Sequence, residues 1–404
     1  MTGQPRVVVT GAGVITPNGR DADEFWAAVV AGRSGLATIS RFDPSGYPAT
    51  VGGEIADFRA ADHVPGRLVP QTDRTTQFAI AAADAALRQA KVDLSALDPL
   101  DLGVITANAC GGFEFGQHEL QKLWAEGPHR VSAYQSFAWF YAVNTGQLSI
   151  LHGMKGHSSV VVSEQAGGLD ALGAARRQVR RGTLRLALAG GADAPLSPWG
   201  LTAQLPNGML STCPDPARAY LPFSAHASGY VPGEGGALLV LEEIEAADGR
   251  ALGEIAGYAA TFDPPARTGR EPALRRAIET ALADAGLGPS DVDAVVADAS
   301  GVPARDVEEA AALAAVFGAH GVPVTAPKAG TGRLYSGSGP VDVFCALKMI
   351  SDEIVPPSAG VRDVLPAHRV DLVMGEARRV PIATVLVLAR GHGGFNAALV
   401  VRAV

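Results

Sequence analysis

Cysteine is scarce in this chain: Cys110, Cys213 and Cys345 are the three thiols in 404 residues, and their spacing forms no CxxC pair. A disulfide framework is excluded, and a reducing compartment fits. Basic excess is missing as well. The formal net charge is −8 at pH 7, which argues against general nucleic-acid binding, because that needs a basic surface to displace counterions. The acidic residues are spread along the chain rather than gathered in a tail. There is no apolar run long enough to span a bilayer. The opening stretch MTGQPRVVVTGAG enters a strand-like run at once, without a signal-peptide pattern, so a cytoplasmic location is expected. Nor is there a dinucleotide loop. Gly11-Ala12-Gly13 follows the strand pattern Val7–Thr10, but the spacing does not continue as GxGxxG and no strand-end acid lies about 20 residues on. A tight turn is the reading there. His152 and His157 stand in HGMKGH with no further ligands converging in sequence, so no metal site is expected.

What is present is apolar and small. The chain is 47% hydrophobic and 18% charged, and Gly and Ala abound, as expected where helices pack closely on sheets. Its length suggests two or three domain-sized units. Two stretches look alike. From Ala79 an Ala-rich helix pattern carries Leu87, followed by DLSALDPLDLGVITANACG with a strand at Leu102–Thr106. From Pro272 a helix pattern carries Leu274, Ile278 and Leu282, followed by GLGPSDVDAVVADASG with a strand at Ala294–Ala297. Both read helix, Pro/Asp-rich turn, apolar strand, small-residue loop, which predicts an internally duplicated layered α/β fold. The polar stretch EEIEAADGR places the break between residues 1–245 and 246–404.

An elbow follows the apolar strand pattern Ser158–Val162. Ser163-Glu164-Gln165 turns, and Ala166-Gly167-Gly168-Leu169 opens a helix with Leu169, Leu172 and Val179 on one side, stopping at Gly182. Such a turn puts one side chain at a helix N-terminus, where unpaired N–H groups and the dipole favour negative charge. Enzymes place nucleophiles there, since the site lowers a thiol pKa and stabilises an oxyanion. The tip here is Gln165, whose amide does not ionise near neutral pH and is no practical nucleophile. Cys110 sits in a small-residue loop without a helix N-terminus or partner His and reads as a packed thiol, as do Cys213 and Cys345. Arg176, Arg177, Arg180 and Arg181 read as a solvated helix end complementing the C-terminal dipole, with contact to an acidic partner as the alternative.

Four segments in register, RVVVTGAGVITPNG, VVSEQAGGLDAL, YLPFSAHASGYVPGEGGALLVLE and GHGGFNAALVV, resemble the β-ketoacyl synthases, and the resemblance covers nearly the whole chain. It implies a thiolase-like fold, two related α/β halves in an α-β-α-β-α layering. Active members carry a Cys at the elbow and two His downstream. Matched by motif, the Cys position is Gln165, the first His position is Ser300, the second is Arg333, the Lys is kept as Lys328, and the Phe of the C-terminal glycine loop is His392. Gln at this elbow, with FAWFYAVNTGQLSI and DPARAYLPF, resembles the chain length factor, the ketosynthase β subunit of bacterial type II polyketide synthases.

That resemblance implies a subunit without catalytic Cys or His that heterodimerises with a ketosynthase α subunit and shapes the tunnel for a malonyl-derived poly-β-ketone. It implies no cofactor of its own, the phosphopantetheine arm arriving on an acyl carrier protein. Residues matching Phe113, Gly116, Leu120 and Trp199 line the far end of the tunnel in that family, and the first three fall on one face of a helix predicted to follow Gly111. With Gly and Leu at the second and third positions, a chain longer than an octaketide is expected, nearer the decaketide class. The packing alternative is that Gly116 only admits a neighbouring helix. The functional alternative is a decarboxylase that supplies a primer from malonyl carrier protein; that chemistry needs carbonyl polarisation rather than a nucleophile, but both His positions are lost.

Overall fold

A computed structural model describes residues 5–404. Ten strands and six helices carry the architecture. In the first half they are β1 (Val7–Ile15), α1 (Arg74–Ala90), β2 (Leu102–Ala107), α2 (Phe113–Glu126), β3 (Ser159–Val161), α3 (Gly167–Arg180), β4 (Leu186–Asp193) and β5 (Gly235–Glu243). In the second they are β6 (Gly253–Phe262), α4 (Leu274–Ala285), β7 (Ala294–Val296), α5 (Pro303–Phe317), β8 (Pro323–Thr325), α6 (Ser338–Asp352), β9 (Thr384–Arg390) and β10 (Phe395–Arg402).

The strand order demonstrates the duplication. Outward from the centre, the first half runs β1-β5-β4-β2-β3 and the second β6-β10-β9-β7-β8. Each is first, fifth, fourth, second, third, with the same parallel and antiparallel neighbours. The two ladders join where Val8 faces Glu254 and Val9 faces Gly253. A short strand, Asp371–Leu372, extends the β8 edge.

Period-two alternation sorts side chains into layers. Leu239 and Leu241 of β5 face an inner core with Val387 of β9, Leu399 of β10, Leu169 and Leu172 of α3 and Val343 of α6. Leu238 and Val240 face outward to Phe78 and Ile80 of α1. In the second half Leu386, Leu388 and Val400 face Leu274 and Ile278 of α4. Burial on both faces explains why the strands read as continuous apolar runs, each fully buried Leu or Val contributing about 1.5–3 kcal/mol. The layers are therefore helix, sheet, paired helices α3 and α6, sheet, helix.

Two sequence readings need correction. Gly11-Ala12-Gly13 is not a turn: β1 continues through it to Ile15, with an irregularity between Val9 and Gly11. The glycines serve helix packing instead. A Cβ at Gly11 would lie 2.2 Å from the Ala86 carbonyl oxygen and one at Gly13 1.9 Å from that of Ala82, so α1 can lie against the strand. Gly257 of β6 does the same for Ala281 of α4, at 2.2 Å. The arginine-rich end of α3 is solvated only in part: Arg177 and Arg181 are exposed, Arg180 is half-buried and Arg176 is not solvated at all. Arg176 is buried, pairs with Asp284 at 2.6 Å and donates to the Ala256 carbonyl, while Arg177 lies over the Tyr258 ring. The opposite half supplies these partners, which no local pattern announces. No helix among the described residues is long and apolar enough to cross a membrane.

Candidate functional site

The elbow forms as its residue types require. β3 ends at Val161, Glu164 takes a left-handed backbone (φ +52°), and α3 starts at Gly167. Gly168 is obligatory, because a Cβ there would sit 2.2 Å from the Ser336 carbonyl oxygen and 2.3 Å from Pro340, where α6 begins. Gln165 is fully buried at this meeting point, and neither its amide nitrogen nor its amide oxygen has a hydrogen-bond partner. The Ser163 hydroxyl bonds the Asp170 carboxylate, which also accepts from Tyr258 at 2.7 Å. The exposed backbone N–H of His392 donates to Glu164 at 2.7 Å, joining the C-terminal glycine loop to the elbow. The indispensable chemistry of an acyl-transfer elbow is absent: the residue at the helix N-terminus cannot become an anion.

The second half contributes a charged plug. Arg333 is buried and donates to both oxygens of Asp298, at 3.1 and 3.2 Å, and to the Arg390 carbonyl at 2.8 Å. Asp298 also accepts the Arg390 N–H at 2.8 Å. Burial by itself raises the Asp298 pKa, but Arg333, Arg305 and Lys328 outweigh it and hold the carboxyl below its ordinary value. Ser300 donates to Asp306 at 3.2 Å, and Asp306 also accepts from the Gly301 and Phe223 backbone. Lys328 pairs with Asp342 at 2.7 Å and donates to the Ala297 carbonyl. Ser300, Arg333 and Lys328 thus gather around Ala297–Asp298. A guanidinium locked in a bidentate pair neither takes nor gives a proton near neutral pH, so Arg333 is a permanent cation with no acid–base role.

Besides Asp342 and Asp170, the carboxyls not picked out from sequence include Asp298, Asp306, Glu309, Asp193 and Asp73. Glu309 accepts the Asp298 and Ala299 N–H groups, at 2.7 and 2.8 Å. Asp193 accepts from the backbone of Ala109, Cys110 and Ser336 and from the Ser336 hydroxyl at 2.6 Å. Its place at the end of an apolar strand, repeated by Asp298 after β7, is the signal that could have found both. Burial pushes Asp73, Asp193, Asp306 and Asp342 up to about 6, and Glu309, beside Asp298, up to about 7. Each holds its proton more tightly folded than unfolded. Their contribution to stability is full below the unfolded carboxyl range near about 4 and is lost as pH rises through about 6 to 7. His152, which burial holds below its ordinary value, opposes this over part of the range. The melting temperature is expected to fall between about pH 5 and about pH 8. A flat or rising calorimetric profile across that interval contradicts the assignment.

The other predicted cluster forms on α2. The Phe113 and Trp199 rings stack with centroids 5.3 Å apart, and a Cβ on Gly116 would lie 2.9 Å from Trp199 Cζ3. Gly116 therefore does not leave a void: as the packing alternative expects, it admits a neighbouring helix, Pro198–Gln204, through the indole of Trp199. Leu120 and Trp199, with Gln117, Gln121, Trp124 and Ala125, line an open apolar groove of about 610 Å³. Asp193 links the two clusters, holding the loop before α2 to the segment after Arg333. Cys110 lies in that loop, three residues before α2, so a helix start does follow it; burial nonetheless pushes its thiol, and that of Cys345, well up, away from the reactive thiolate.

The β-ketoacyl synthase N-terminal domain profile matches residues 4–247 and the C-terminal domain profile matches 252–362. The tetracenomycin polyketide synthase ketoacyl synthase β subunit of Streptomyces glaucescens is 58% identical over 406 residues, covering 100% of this chain and 99% of that protein. The solved ishigamide ketosynthase/chain length factor superposes with a TM-score of 0.91 at 27% identity, covering 100% of both chains. A solved type II polyketide acyl-carrier protein in complex with its ketosynthase bound to the hexaketide does so with a TM-score of 0.89 at 27% identity, again over 100% of both.

Proposed function

This chain belongs to the β-ketoacyl synthase family, as a ketosynthase β subunit of type II polyketide synthases, and from that premise we propose how its two clusters work. The chain is the non-nucleophilic chain length factor of the pair. Gln165, unable to carry an acyl group, is the observation that carries this reading, and the Arg333–Asp298 plug supports it. Condensation belongs to a ketosynthase α subunit, and this chain supplies the wall that stops the growing poly-β-ketone. The chain arrives on the phosphopantetheine arm of an acyl carrier protein, and no cofactor of the subunit's own is needed. The groove at Leu120 and Trp199 becomes the closed end of the tunnel once the partner covers it, with length nearer the decaketide class. The work takes place in the cytoplasm.

The edge of the sheet supports the pairing. Among the described residues β3 ends the first-half ladder, bonded to β2 on one side. Ile150 is 75% and Val162 48% exposed, and Trp139, Phe140 and Tyr141 are exposed too. A bare strand edge flanked by apolar surface is a template for another chain. Copurification with a ketosynthase of similar size is expected, burying more than about 2,000 Å². A stable monomer indifferent to that partner contradicts the reading.

Decarboxylation to supply a primer is the competing activity, and the arrangement does not favour it. Arg333 faces Asp298 rather than an open cavity, and Ser300 is committed to Asp306. In the heterodimer, Gln165→Ala is expected to keep most condensation activity. Loss of activity that a supplied acetyl primer restores would show instead that the amide acts in decarboxylation.

A further inference from the structure

The first turn of α2 is held by a closed ring of charged side chains that does not touch the groove. Asp73 caps α1 with one oxygen, accepting the Thr75 N–H at 2.8 Å, and with the other accepts the Phe115 N–H of α2, also at 2.8 Å. Gly112 makes this approach possible, since a Cβ there would lie 2.9 Å from Asp73 Cβ. Arg74, the next residue, donates to Glu234 from Nε at 3.1 Å and from a terminal nitrogen at 2.8 Å. Glu234 is fully buried and pairs with Arg41 at 3.3 Å. Arg41 closes the ring, one nitrogen lying 2.6 Å from each oxygen of Glu114, again in the first turn of α2. The circuit runs Asp73, α2, Glu114, Arg41, Glu234, Arg74 and back along the chain.

Its consequence is mechanical. α1 is rooted in the first-half core through Phe78 and Ile80. Two tethers fix the N-terminus of α2 in position and in rotation: the backbone cap that Asp73 makes at Phe115, and the ion pair of Glu114 with Arg41, which reaches α1 through Glu234 and Arg74. Phe113 and Gly116 flank those residues, and Gly116 meets Trp199 at a distance with no slack. Freeing either tether lets α2 roll or slide, and the far residue Leu120 moves with it. We propose that Asp73 and Arg41 are positioning residues that set polyketide length by fixing α2, although neither lines the tunnel. This rests on the reading of Phe113, Gly116, Leu120 and Trp199 as the gate. Geometry at such a wall must be held to within about 0.5 Å by supporting residues to specify one outcome.

The test uses the intact heterodimer with malonyl carrier protein, and reads product lengths by mass spectrometry beside total malonyl consumption. Arg41→Gln, Glu114→Gln and Asp73→Asn are expected to change the ratio of neighbouring product lengths several-fold while consumption continues. Arg41→Lys, which keeps the charge, is expected to restore most of the original distribution. Arg250→Gln breaks another part-buried pair, with Glu242 at 3.0 Å, away from α2; it controls for lost stability and is expected to leave the lengths unchanged. Unchanged lengths in all three ring variants, with altered lengths in Gly116→Thr/Leu120→Phe, overturn the ring and leave the gate standing. Unchanged lengths in both sets remove the gate and the ring with it. If all three ring variants lose the heterodimer, the ring serves folding alone and the proposal fails.

Discussion

Gly116→Thr combined with Leu120→Phe, assayed with the partner ketosynthase and carrier protein, is expected to move the main product to a shorter poly-β-ketone. The reason lies in one contact. A Cβ at position 116 falls 2.9 Å from Trp199 Cζ3, closer than real side-chain contacts allow, so the indole must swing away. Its backbone stays, because Trp199 N–H donates to Gln117 Oε1 at 2.7 Å. The ring is also stacked on Phe113, which limits motion on that side. What remains is the open groove beside Leu120, Gln121 and Trp124. Phenylalanine at 120 then takes up space in the same groove, so two changes close one volume from two directions. Overpacking a filled site of this kind typically costs about 1–3 kcal/mol, which a fold of this size tolerates when the groove is open on one side. Products of unchanged length at retained activity show that this face does not stop the chain.

Asp298→Ala is expected to lower stability by about 3–5 kcal/mol, the usual consequence of removing one member of a buried ion pair and leaving the other charge uncompensated. The position is worse placed than most. Its carboxylate satisfies two nitrogens of Arg333 and the Arg390 N–H. Arg390 in turn reaches Glu308 and the Arg305 carbonyl. Loss of soluble protein, or a large drop in the melting temperature, is the expected result. Asp298→Asn keeps the shape and part of the bonding, and is expected to fall between. The same pair gives an acid limit. Since Asp298 is held below its ordinary pKa, its contribution is complete above the unfolded value near about 4 and disappears as pH falls through the folded one. Wild-type-like stability of Asp298→Ala contradicts the description of the plug.

Much of this was legible in the chain. The duplication shows because both halves repeat helix, turn, strand and loop in matching order, and Leu274, Ile278 and Leu282 are buried as their spacing predicts. The elbow shows because an apolar strand running into Ala-Gly-Gly leaves few other conformations. Gln165 stood out because the geometry around it calls for a different residue. The partners of these residues were not legible. Gly116 owes its identity to Trp199, Gly11 to Ala86 and Arg176 to Asp284, each far along the chain. Single acids such as Asp193, Asp298 and Asp306 carry no periodic signature, and their burial is decided by the fold around them. Arg176 is the exception at the end of α3 for the same reason: it looks as solvated as its exposed neighbours Arg177 and Arg181 until Asp284 of the opposite half is placed against it.

The plug has a historical consequence as well: it acts as a ratchet. Cysteine at position 165 alone would restore a thiol beside a guanidinium-filled pocket, with no imidazole to work with. Histidine at 333 alone would strand Asp298, and losing Asp298 first would strand Arg333. Because Arg333 and Asp298 share one bonded pair, their effects do not add independently, and changing either alone leaves a buried charge without its partner. The open groove lined by Leu120, Gln121 and Trp124 has no part in that pair. Under the function proposed above, a change in that groove can alter product size while leaving the plug intact.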